Sequence, residues 1–95
     1  MDKDELNSQI ENEYAKINEI NQIQDELNIM NRSLNNCVDI AYSSAINRKN
    51  INKYNEVKEE LENGYKLANE NLDSSLEQAK DTIHKLEEKR DKKED

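Results

Sequence analysis

Ten apolar residues in the second half of the chain keep one helical register. Tyr54, Val57, Leu61, Tyr65, Ala68, Leu72, Leu76, Ala79, Ile83 and Leu86 follow one another at intervals of three or four. At ~100° per residue they share a stripe about 80–100° wide. A random polar chain does not hold that register. The intervals run 3-4-4, so Leu61, Leu72 and Ile83 recur every eleven residues, as do Tyr65 and Leu76. An eleven-residue period gives nearly straight or slightly right-handed packing rather than a left-handed supercoil.

The first half repeats less cleanly. Leu6, Ile10, Ile17, Ile20, Leu27, Leu34, Val38, Ala41 and Ala45 form a seam, and Ile23, Met30 and Cys37 widen it on one side. Ile29 and Ile40 lie away from it, and Tyr14, Tyr42 and Ile46 sit near its other edge. The first helix therefore carries more apolar surface than one neighbour covers. Ile23, Ile29, Ile40 and Ile46 are the candidate partner interface. Leu61, Tyr65, Leu72, Leu76 and Ile83 are the candidate hairpin seam.

Between the two patterns lies Asn47-Arg48-Lys49-Asn50-Ile51-Asn52-Lys53, with three Asn and no acid. Asn competes with helical hydrogen bonds and tolerates left-handed backbone, so it suits a turn. Arg48 and Lys49 would favour the negative end of the first helix, and Asn50 or Asn52 could cap the second. Asp2 with Glu5 reads as a capping arrangement at the chain start. The reading is an all-α antiparallel hairpin in a single domain, 1–95: helix 3–46, turn 47–52, helix 53–90 and a frayed tail 91–95. Gly64 falls inside the second helix, because the seam runs through it without a phase break. It costs about 1 kcal/mol there, and a close approach of the helices is one reason to keep it.

Composition closes off other classes. Charged residues make up 38% of the 95, and the chain holds no Pro, Trp or Phe and one Gly. All-β folds need turn residues at short intervals, which are missing. Its longest apolar run is three residues, Ile40 to Tyr42, so no stretch reads as a transmembrane span or a signal-peptide core. With 22 acids against 14 bases and a net charge of −8, nucleic acid and anionic membranes are not expected as partners. Each of the 15 Asn costs about 0.6 kcal/mol relative to Ala inside a helix. A lone two-helix hairpin is marginal in any case. The surplus apolar surface therefore argues for a four-helix bundle, made with a second copy or with another helical hairpin.

No residue set reads as catalytic, and no cofactor or metal is expected. His84 and Glu88 share a helix face at i, i+4, but a metal site needs three or four ligands. Cys37 reads as a buried small apolar residue. Tyr14, Tyr42, Tyr54 and Tyr65 read as packing residues, and the pairs Glu59–Glu60 and Glu87–Glu88 as solvated faces.

In length, acidity and its two matched helices around a central turn, the chain resembles the small WXG-type proteins of type VII secretion. The Trp-X-Gly of that family is absent, and the turn reads Asn-Arg-Lys-Asn. Its export motif, Tyr-x-x-x-Asp/Glu, is absent too; the nearest shape is His84-x-x-x-Glu88. That pattern looks more like the α-helical partners encoded beside LXG-type toxins. The resemblance implies a non-enzymatic adaptor, targeting factor or chaperone that pairs with the toxin's helical N-terminal domain. The Asn- and Lys-rich usage looks like that of a low-GC Gram-positive source. The resemblance implies a cytoplasmic protein, leaving open whether it is itself exported, without a signal peptide, in complex with its partner. A homodimeric coiled-coil scaffold, or a chaperone subunit of another bacterial or phage machine, is the alternative.

Overall fold

The computed structural model describes residues 2–43 and 50–92. Two helices make up the fold: α1, Lys3–Ala41, and α2, Ile51–Asp91. It is an all-α helical hairpin.

Each helix end that is described has a local cause. Asp2 Oδ1 accepts a hydrogen bond from the Glu5 amide at 2.8 Å, which caps an otherwise orphaned donor at the start of α1. Asp4 and Glu5 in the first turn of α1 and Lys89 and Arg90 in the last turn of α2 complement the helix dipoles. α1 stops at Ala41, five residues before the expected end at 46. Ser43 is the reason: its amide and its hydroxyl both bond the Ile40 carbonyl, at 3.3 and 2.8 Å. A serine that takes a carbonyl this way competes with continuation of the helix. α2 starts at Ile51 rather than 53, directly after Asn50. Residues 47–49 of the expected turn lie outside the described residues, as do Arg48, Lys49, Ala45, Ile46 and the tail 93–95.

Contacts divide the chain into two units, Met1–Ile23 with Asn71–Asp95, and Gln24–Glu70. The first unit holds the core. Leu6, Ile10, Ile83 and Leu86 are buried together with Ile17 packed against them, and Ala79 is buried as well. Arg90 Nη1 donates to Asn7 Oδ1 at 3.1 Å across the pair.

The Gln24–Glu70 unit is built differently: none of its described residues is buried. Asn28 of α1 meets Tyr65 of α2, while Asp39 meets Tyr54 and Lys58, so the helices run antiparallel. All ten residues of the α2 stripe are at least half-buried in their own unit. The α1 stripe is corrected here. Leu34 and Ala41 are exposed, while Leu27 and Val38 of the stripe stay half-buried beside Gln24, Asn28, Asn31 and Asn35. The expected stripe ran through Ile20, Leu27, Leu34 and Ala41 at intervals of seven. Such a repeat drifts about 20° per heptad on an unsupercoiled helix. Over three heptads it rotates off the contact face, and the amides rotate onto it.

Gly64 lies inside α2 as expected, but the suggested close approach of the helices is not the reason for it. A Cβ built there meets nothing within 4 Å.

Candidate partner-binding surface

The amides on α1 arise from residue spacing alone. Gln24, Asn28, Asn31 and Asn35 recur at intervals of four, three and four, which keeps them on one face. The Tyr65 hydroxyl donates to Asn28 Oδ1. The Asn35 amide bonds back within its own helix, to the Asn31 carbonyl at 2.8 Å and its side-chain oxygen at 3.2 Å.

Toward the turn, one carboxylate organises three side chains. Asp39 Oδ1 accepts hydrogen bonds from the Tyr54 hydroxyl at 2.8 Å and from Lys58 Nζ at 3.0 Å. Lys58 stands 5.8 Å from the centroid of the Tyr54 ring, and Tyr42 meets the same ring edge-on at 5.7 Å. The Lys58 ammonium, and after it the Tyr54 hydroxyl, hold the Asp39 carboxyl below its ordinary range. Asp39 in turn pushes the Tyr54 phenol up. The group is exposed, and its geometry is that of a clasp between helices rather than of a proton-transfer site.

Five large apolar residues of α1 between Ile23 and Ile40 are open to solvent. Ile23 is 47% exposed, Ile29 60%, Met30 58%, Leu34 47% and Ile40 73%. Ile23, Ile29 and Ile40 thus stand out from the surface, and Ile46 lies outside the described residues. Cys37 is exposed as well, against the expectation of burial, because it stands beyond Met30 on the outer edge of the displaced stripe. Of the candidate seam, Ile83 is buried and Leu61, Tyr65, Leu72 and Leu76 are half-buried. In the Gln24–Glu70 unit a groove of about 210 Å³ is lined by Leu27, Met30, Asn31, Leu34, Glu60, Leu61, Gly64 and Tyr65. Gly64 is among the lining residues, and a Cβ there would meet nothing within 4 Å.

His84 and Glu88 are both exposed. His84 lines a shallow surface depression with Tyr14, Ile17 and Glu87. Among the described residues no three His, Cys, Asp or Glu come together as metal ligands. No described helix is long and apolar enough to cross a membrane.

No protein-family model, curated protein or solved structure matches the chain.

Proposed function

We propose that this hairpin is a protein-binding adaptor that completes a four-helix bundle with a helical partner. Its place would be that of a targeting factor or chaperone for an LXG-type toxin exported by type VII secretion. The observation that carries the adaptor reading is the displaced apolar surface of α1. Met30 and Leu34 are each about half exposed, while the Gln24–Glu70 unit has no buried described residue. Large exposed apolar surface on a small domain marks a site of association. A second helical pair laid on it would supply the burial the unit lacks, in the manner of helix bundles. The secretion context rests on the resemblance described above.

Deletion of the gene tests the reading. Export of the toxin encoded beside it should stop while toxin transcription continues, and the purified chain should form a stable complex with the toxin's N-terminal helices. Normal export from the deletion strain rules out the secretion role. Exposure of His84 and Glu88 near the end of α2 suits a segment read by an export machine. Changing both to Ala should leave toxin binding intact and reduce export; unchanged export removes the segment from the functional set.

A further inference from the structure

In the Gln24–Glu70 unit, the groove-side flank of α1 is apolar, while that of α2 sets Gly64 and Leu67 among Lys53, Glu56 and Glu60. At ~100° per residue, Met30 and Leu34 stand about 90° round α1 from the amides that face α2. Gly64 stands on the same flank of α2, and all three line the one groove. The opposite flank of α2 carries Asn55, Glu59, Glu62 and Lys66. In a four-helix bundle each helix meets a second neighbour about 90° round from the first, so the apolar flank is the one a partner fits. Ile29 and Ile40 are no less exposed, but they stand nearly opposite the contact face, and scattered apolar residues are ordinary on a protein surface.

Gly64 leaves the groove open at its own position. A Cβ there would meet nothing within 4 Å, so no neighbour in the single chain excludes a side chain at this position. A side chain brought by a second helix can use the space, since the distance between packed helices follows the side chains at the contact. Charge narrows the choice of that helix. Glu60 lines the groove and Glu26 stands one turn before Met30. Lys53, on the groove-side flank of α2, is paired with Glu56 at 3.7 Å, and Arg32 of α1 stands on the far side of its helix from the groove. A net charge of −8 also sets a second copy against the first.

The geometry points to this groove as the seat of a basic amphipathic helix from a different protein. That helix inserts a Leu- or Phe-sized side chain over Gly64 and sets Lys or Arg beside it, against Glu26 and Glu60. The inference rests on the adaptor reading and adds the docking face and the partner's chemistry.

Two synthetic helices test it. Both are about 20 residues long, ~30 Å, with the same Leu stripe; one has Lys on its flanks and the other Glu. Titrated against the full chain at ~0.15 M salt, the Lys-flanked helix should bind, the Glu-flanked one should not, and binding should weaken as salt rises. Gly64→Leu fills the groove with a better helix former and should lower the affinity about tenfold or more, ~1.4 kcal/mol. Asn55→Leu adds the same bulk on the other flank of α2 and should change nothing; circular dichroism confirms that both variants stay helical. Equal binding of the two helices, or wild-type binding by Gly64→Leu, overturns the inference. A dimer of the chain that Gly64→Leu dissociates also overturns it, because the occupant is then a second copy. If Gly64→Leu exports the toxin normally while the gene deletion does not, the adaptor role stands and the groove alone is removed.

Discussion

The hydroxyl of Tyr65 on α2 donates its hydrogen bond to the side-chain oxygen of Asn28 on α1. A phenol and an amide thus meet at a position where a helical hairpin ordinarily places two apolar side chains. The contact face of α1 in this unit sets Gln24, Asn28, Asn31 and Asn35 beside Leu27 and Val38, while Met30 and Leu34 look outward.

Such a face should be improvable. Asn31 and Asn35 are half-buried and bonded to each other, so changing both to Leu leaves neither partner orphaned. Helix propensity alone should return about 0.6 kcal/mol at each position, with apolar burial in addition. The denaturation midpoint of the double variant should rise by the equivalent of about 1–2 kcal/mol. A midpoint at or below wild type would mean that the amides are needed for the pairing.

Gly64→Ala should stabilise the chain by about 1 kcal/mol. There is open space around a Cβ at this position, and no glycine or other described residue has positive φ, so the helical entropy cost is removed without strain. Thermal unfolding followed by circular dichroism reads the shift directly. A loss of stability would show that the backbone at Gly64 is more constrained than its surroundings indicate.

Glu at both Met30 and Leu34 should weaken partner association and leave helicity largely intact, because both side chains are about half exposed in the single chain. The same change at Ile29 and Ile40 should have the smaller effect on association, since those two stand nearly opposite the contact face. Glu at Leu6 or Ile83 should unfold the hairpin. Each is buried, and removing such a side chain costs about 1.5–3 kcal/mol before the carboxylate is counted. If the Met30/Leu34 pair melts the helices as thoroughly, the outward-facing stripe is part of the fold rather than an interface.

The Asp39 clasp should respond to pH at both ends of the scale. Its carboxyl is held low chiefly by Lys58, so the clasp's contribution is complete above the unfolded carboxylate value and is lost as pH falls through the folded one. The Tyr54 phenol is pushed up by Asp39, so its share is present below the ordinary tyrosine value and is lost as pH rises through the folded value. All three groups are solvent-accessible, which keeps the effect small. A carbon-detected NMR titration should place the Asp39 midpoint below the ordinary aspartate range, and Lys58→Met should move it back up. A midpoint indifferent to that substitution removes Lys58 as the cause.

The sequence was easiest to read where apolar spacing matched the straight-helix period. The 3-4-4 pattern of α2 marked its contact face correctly from Tyr54 to Leu86, and Leu6 and Ile10 were legible for the same reason. It misled where the spacing was heptad, because Leu34 and Ala41 look continuous with Leu27 in the sequence and drift away from it in space. Cys37 followed the same error. The early end of α1 depends on the Ser43 side chain choosing the Ile40 carbonyl, a local competition that apolar periodicity does not register. Asp2 was legible because a cap needs an oxygen in one place, three residues before the amide it accepts from.

The buried residues Leu6, Ile10, Ala79, Ile83 and Leu86 all belong to the unit that holds the two chain ends. Small domains usually fray at their termini. Here slow amide-hydrogen exchange should belong to the first few turns of α1 and the last few of α2, with rapid exchange from 24–43 and 50–70. A protease that needs an extended stretch should therefore cut within 24–43 or 50–70 before it cuts within 3–23 or 71–91. Engagement of a partner helix should be visible first as resistance to that internal cut.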